Sequence, residues 1–172
     1  VSIHGPLGYE ANTLTTAPLR SSPQGGRADG PPEIARAYAK DLGCDLAIID
    51  KRRISGEKTV IEHIIGDVEG HDVVLVDDMV STGGSIVDAA RIVKEKGANK
   101  VFLVATHGVL AGNAVERLNN ADVEKILFAD TIPLQDKQLQ RLEVVSMAQL
   151  LARAIDRIHR SESVSKLFES ER

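Results

Sequence analysis

The chain has 172 residues, of which 42% are hydrophobic and 27% charged, and its formal net charge is −4. That length supports one domain with a sizeable core, and an acidic balance excludes the broad basic surface on which nucleic-acid binding depends. A single cysteine, Cys44, excludes an internal disulfide framework and suits a reducing compartment, while no apolar run reaches membrane-spanning length. No charged-then-apolar signal segment opens the sequence, so the expectation is a cytoplasmic protein with neither nucleic acid nor membrane as partner.

Residues 1–31 read as an irregular N-terminal segment. Gly, Pro, Ser and Thr are frequent there, SSPQGGRADGPP at Ser21–Pro32 is punctuated by breakers, and no helix or strand period emerges. From Glu33 the pattern becomes regular. Ile34, Ala37, Tyr38 and Leu42 fall at helical spacing, with Gly43 as a stop. Leu46–Ile49 reads as a short buried strand, followed by Lys51, Arg52 and Arg53 on a loop, and Val60–Ile65 as a second extended segment. A turn near Gly66–Gly70 precedes the most informative stretch, Val73–Ile86, VVLVDDMVSTGGSI.

Val73–Val76 is a continuous apolar, mostly β-branched run, as expected of a strand covered on both faces of a parallel sheet. It gives way to Asp77 and Asp78, then to Ser81, Thr82, Gly83, Gly84 and Ser85. Ile86, Ala89, Ala90 and Val93 then recur at i, i+3, i+4 and i+7, the stripe of an amphipathic helix that Gly97 ends. The small polar residues therefore join the carboxyl end of a strand to the amino end of a helix. Free N–H groups and the positive end of the helix dipole make such a junction an anion site, and hydroxyls of Ser81, Thr82 and Ser85 can donate to the same anion. Carboxylates beside an anion repel it unless they serve another group, so Asp77 and Asp78 are assigned to sugar hydroxyls or a divalent cation. An ordinary capped helix uses the same residue types, but the acidic pair after a buried strand favours a sugar phosphate. No Gly-Lys-Ser/Thr follows, which excludes a Walker A loop.

Downstream, Val101–Ala105 reads as a strand ending in Thr106 and His107. Ala111, Ala114, Val115 and Leu118 give a short helical face, Ile126–Ala129 a strand ending at Asp130 and Thr131, and Leu142–Val145 the last strand. Met147, Leu150, Leu151, Ala154, Ile155 and Ile158 stripe a closing helix. Alternating strands and helices predict an α/β domain around a mostly parallel sheet, with ligands beyond the strand carboxyl ends. His107 lacks partner ligands at metal-binding spacing and is read as structural; His4, His63, His71 and His159 form no ligand pattern.

VVLVDDMVSTGGSI resembles the phosphoribosyl diphosphate (PRPP) signature of the phosphoribosyltransferase fold, type I. Further segments resemble ribose-phosphate pyrophosphokinase, or PRPP synthetase: DLAIIDKRR at Asp45–Arg53, IIGDVEG at Ile64–Gly70, ATHGVLAGNAVERL at Ala105–Leu118, DTIPL at Asp130–Leu134, and SMAQLLARAIDRIHRSESVSKLF at Ser146–Phe168. Together they cover residues 32–172 and correspond to the C-terminal phosphoribosyltransferase-like domain of that family.

The resemblance implies transfer of diphosphate from ATP to ribose 5-phosphate, giving PRPP and AMP for nucleotide biosynthesis, with Mg2+ bridging phosphate oxygens. It implies that Asp77 and Asp78 contact ribose hydroxyls, with a metal role also open. It further implies that Ser81, Thr82, Gly83, Gly84 and Ser85 hold the 5′-phosphate and that Lys51 and Arg53 are catalytic cations. A homo-oligomer, dimer or hexamer, follows by the same resemblance, and Ser163, Ser165 and Phe168 resemble a region of subunit contacts and nucleotide regulation, although a packed terminal helix accounts for them equally well. Ser81 stands where many members carry Asp, which removes an acidic contact while keeping a hydrogen-bonding group. The family's first domain, which supplies most adenine and metal contacts, has no counterpart in this sequence. Two other readings remain: a catalytically silent subunit associated with PRPP synthetases, and a phosphoribosyltransferase, whose acceptor site is not located.

Overall fold

In the computed structural model of the protein, residues 13–16, 31–55, 58–134 and 136–167 are described, with the backbone alone for 13–16, 31–33, 50–55 and 58–63. His4, His63's side chain and Phe168 therefore lie outside what is described. Among the described residues seven strands are present: β1 Thr13–Thr16, β2 Asp45–Ser55, β3 Lys58–Ile65, β4 Val73–Val80, β5 Val101–Gly108, β6 Lys125–Ala129 and β7 Leu142–Val145. Four α-helices accompany them: α1 Pro31–Leu42, α2 Gly84–Glu95, α3 Ala114–Asn120 and α4 Ala148–His159.

The sheet runs in the order β3-β2-β1-β4-β5-β6-β7. Every neighbouring pair is parallel except β2 and β3, which form an antiparallel hairpin at one edge. The chain moves outward in one direction through β2 and β3, then returns beside β1 as β4 and moves outward in the other. The order therefore reverses between β1 and β4, the crevice at which open α/β sheets take ligands. The expected α/β class with a mostly parallel sheet is what the backbone forms.

Both faces are covered. Val73, Leu75, Leu103, Ile126 and Phe128 pack with Ile86, Ala89, Ala90 and Val93 of α2 and with Ala114 and Leu118 of α3 in the larger core. Each fully buried large side chain of this kind contributes about 1.5–3 kcal/mol. On the opposite face Val76 packs with Ala35 and Ala39 of α1 in a smaller cluster. All four residues of the α2 stripe are buried, as its spacing predicts.

Four expectations differ in the structure. Thr13–Thr16, inside the stretch read as irregular, forms the strand between β2 and β4; four residues are too short to show a period, and pairing on both sides holds them. Lys51–Arg53 continue β2 into the hairpin, with irregular register at Asp50/Lys51 and Arg53/Ser55, because the antiparallel partner β3 prolongs the ladder past the apolar run. In α1 the buried positions are Ala35 and Ala39, while Ile34, Ala37 and Tyr38 are exposed, since only small residues fit the close approach of helix to sheet. In α4 no residue is fully buried, and Leu151, Ile155 and Ile158 are 59%, 66% and 65% exposed, because α4 lies beyond the last strand and does not cover the sheet. The stop after α1 is as expected: Gly43 adopts φ 63°, and Gly43 N and Cys44 N donate to Lys40 O and Ala39 O, a Schellman closure.

Candidate functional site

β4 outlasts its apolar run. Its ladder with β5 pairs Asp77 with Ala105, Met79 with His107 and Val80 with Gly108, so the acidic pair sits on rigid strand rather than on a loop. Asp78 is exposed, whereas Asp77 is half-buried and accepts the Asp78 N–H through Oδ1 at 2.9 Å. Burial, then the hydrogen bond to the neighbouring Asp78 carboxyl and its charge, pushes the Asp77 carboxyl up to about 6. Two adjacent carboxylates of which one resists ionisation are primed for a partner that stabilises the charged form. Ribose hydroxyls donating hydrogen bonds would do so, and so would a hard cation.

Beyond Val80 the chain crosses Ser81, Thr82 and Gly83 and enters α2. The N-cap is Gly83, at φ 74°, and it supplies no side-chain cap bond. Ser and Thr therefore do not serve as the helix cap here. The first turn of α2 carries no acidic residue, and the helix's first internal bond runs from Val87 N to Gly83 O. A left-handed glycine followed by a helical turn curls successive N–H groups toward one point, the backbone nest that cradles anions.

The segment after β5 braces this loop from behind. Leu110 N donates to Val80 O at 3.1 Å, Ala111 N to Ser81 O at 2.9 Å, and Arg117 Nη1 of α3 to Thr82 O at 3.1 Å. Arg117 and the 110–111 backbone escape sequence reasoning, since no local spacing marks a contact made 35 residues away.

Lys51 and Arg53 reach the same rim from another strand. Through β1, the ladders place Ile48 level with Val76, so Lys51 and Arg53 lie beyond the level of Asp77 at the carboxyl end. They are two strand spacings from β4, roughly 10 Å along the sheet.

At the other side of the rim, Thr131 Oγ1 donates to Thr106 O at 2.8 Å and lies 2.8 Å from His107 Nδ1. With its one proton so committed, Thr131 accepts from Nδ1–H, which fixes the tautomer and gives His107 the structural partner its reading anticipates. Asp130 accepts from Ser146 Oγ at 2.6 Å and Met147 N at 2.7 Å, and these bonds, the hydroxyl's first, hold its carboxyl below the usual carboxylate range. Asp130 thus ties β6 to the start of α4.

Among the described residues no group of three or more His, Cys, Asp or Glu is arranged to hold a metal. Asp77 and Asp78 alone offer two hard oxygen donors, which fits a Mg2+ that keeps waters and shares a substrate's phosphate oxygens. No helix among the described residues is long and apolar enough to cross a membrane.

The chain is similar to several known proteins. The chain is 40% identical over 157 residues to a protein of Aquifex aeolicus named ribose-phosphate pyrophosphokinase, a match covering 91% of this chain and 49% of that one. The protein of the same name from Caldanaerobacter subterraneus is 46% identical over 135 residues, covering 78% and 43%. The chain thus spans about half the length of the curated relatives it matches. The crystal structure of phosphoribosylpyrophosphate synthetase from Mycobacterium smegmatis superposes with a TM-score of 0.71 at 30% identity, covering 88% of this chain and 46% of that one. Orotate phosphoribosyltransferase from Aeropyrum pernix, at 21% identity and a TM-score of 0.51 over 83% of this chain and 64% of its own, shares the fold. Residues 21–169 match the family described as phosphoribosyl synthetase-associated domain, and the chain, with its phosphoribosyltransferase-type fold, belongs to that family.

Proposed function

We propose that the chain is the phosphoribosyltransferase-like half of a ribose-phosphate diphosphokinase, with residues 32–172 as its domain. The reaction is attack of ribose 5-phosphate O1 on the β-phosphorus of ATP. An O1–Pβ bond forms, the bridging bond to the α-phosphate breaks, AMP leaves with the bridging oxygen, and the O1 proton passes to solvent or product. The observation that carries this reading is the β4–α2 junction, where an acidic strand end is followed by a left-handed Gly83 and a helix amino terminus free of acidic residues.

In this reading Ser81, Thr82, Gly83, Gly84 and Ser85 hold the 5′-phosphate, and Asp77 and Asp78 orient the ribose through its hydroxyls. Lys51 and Arg53 close on the diphosphoryl group, where fixed cations stabilise charge developing on the transferred oxygens. Asp77 and Asp78 would hold a Mg2+, which would supply further charge neutralisation when bound. The proposed setting is the cytoplasm and a homo-oligomer, dimer or hexamer, for which the exposed Leu151, Ile155 and Ile158 stripe offers an apolar face.

The alternative reading is a catalytically silent subunit that binds the sugar phosphate. The two are separated by incubating the protein with ATP, ribose 5-phosphate and magnesium. Equimolar AMP and PRPP supports the first; saturable ribose 5-phosphate binding with no AMP supports the second.

A further inference from the structure

We infer that residues 110–117 are the template that turns the phosphate loop's amides toward its ligand, with Arg117 as the positioning residue; this rests on the proposed sugar-phosphate role of the loop. Three consecutive carbonyls, Val80 O, Ser81 O and Thr82 O, are taken in turn by Leu110 N, Ala111 N and Arg117 Nη1. In a trans peptide the C=O of one residue and the N–H of the next point in opposite directions. Carbonyls held against 110–117 therefore send the N–H groups of Ser81, Thr82 and Gly83 to the other side of the loop, where α2 begins. Without these acceptor bonds the loop could present carbonyl oxygens, which repel an anion, in place of amides.

Two further features belong to the same device. Leu110 has φ 51°, a left-handed conformation unusual for a branched side chain, while its side chain is buried. The core holds Leu110 in that conformation, and its N–H together with that of Ala111 meets two adjacent carbonyls. Arg117 Nη1 also lies 3.4 Å from where a Cβ on Gly84 would sit, so the guanidinium stands beside the first residue of α2. A cation there opposes the helix dipole unless an anion joins them. Arg117 has no ion pair among the described residues. A phosphate dianion in the nest is the chemistry that satisfies both positive groups.

The test is titration of ribose 5-phosphate, and separately of inorganic phosphate, into the wild-type protein and into Arg117→Ala, Arg117→Met and Arg117→Lys. Arg117→Met keeps the stem and the helix propensity while removing every donor. The expected result is a loss of roughly ten- to hundredfold in affinity for both anions in the Ala and Met proteins, as for deletion of a charged hydrogen-bonding group, with partial recovery in Lys. Should Arg117→Ala melt below the assay temperature, Arg117→Met decides. Wild-type affinity in Arg117→Met, or equal losses in Met and Lys, overturns the positioning role. Failure of the wild-type protein to bind ribose 5-phosphate overturns the sugar-phosphate reading itself.

Discussion

Two loops meet at the carboxyl rim of this sheet, and they are built in opposite ways. The β4–α2 junction is locked: a paired strand runs to Val80, three successive carbonyls are tied to the segment behind, and a helix starts on Gly83. The β2–β3 hairpin that carries Lys51 and Arg53 is an edge, paired on its outer reach by one antiparallel strand with two register irregularities. A phosphate cradle gains from being preformed, because its amides need no reorganisation when the anion arrives. Cations that act on transferring phosphates gain from a hairpin that can close after the nucleotide enters. On the proposed function, the division between a braced binding loop and an edge hairpin would be a division between affinity and turnover.

The largest effect that division predicts is Lys51→Ala. It should lower AMP formation by about a hundredfold or more, the scale for removing a transition-state charge partner, while ribose 5-phosphate affinity measured by calorimetry stays within about twofold. A parallel loss of both would place Lys51 in the binding loop's business and break the contrast.

Asp77→Asn should act on the other side. Losing a carboxylate that accepts ribose hydroxyl bonds costs about 1.5–3 kcal/mol, or roughly ten- to hundredfold in affinity. The same substitution should stabilise the fold at neutral pH. The Asp77 carboxyl titrates at about 6 in the folded protein, above its ordinary value. The folded state therefore binds the proton more tightly, and stability falls as pH rises from about 4 to 6. Removing the half-buried charge should recover about 1 kcal/mol at pH 7 after solvent screening is allowed for, readable in urea melts. Weaker binding without a gain in stability would mean that burial does not strain the ionised carboxyl.

The pH dependence of binding follows from the same group. A ligand that needs the Asp77 carboxylate competes with the proton, so ribose 5-phosphate affinity should fall as pH drops below about 6, with proton release on binding near that pH. Asp77→Asn should flatten this profile, leaving only the titration of the phosphate itself. Calorimetry in buffers of different ionisation enthalpy reads the proton count directly.

The smallest effect is expected at Gly83→Ala. A Cβ there meets Ala114 no closer than 3.7 Å, so space is available and only the left-handed φ of 74° opposes the change. About 1 kcal/mol of stability should be lost, with a several-fold weaker phosphate affinity as the loop relaxes. Unaltered affinity would show that the cradle does not depend on this backbone conformation.

What the sequence disclosed follows the range of the interactions. The α/β class, the α2 stripe of Ile86, Ala89, Ala90 and Val93, and the strand–acidic pair–small loop–helix order are local patterns, and each appears in the fold. α1 and α4 carry equally regular stripes whose burial depends on what lies opposite. Ala35 and Ala39 displace Ile34 and Tyr38 from the smaller core, and the stripe of α4 faces outward. β1 had no local signature because its pairing on both sides supplies the order that four residues lack. Arg117 and Leu110 were invisible for the same reason: a side chain reaching a carbonyl 35 positions away, and a left-handed leucine held by the core, have no expression in spacing.

The central claim, a preformed sugar-phosphate site at the β4–α2 junction, is tested most directly by calorimetric titration of ribose 5-phosphate into the wild-type, Lys51→Ala and Asp77→Asn proteins in parallel. The account predicts saturable one-to-one binding that survives Lys51→Ala and weakens at least tenfold in Asp77→Asn. Absence of binding by the wild-type protein, or equal affinity in wild type and Asp77→Asn, would contradict it.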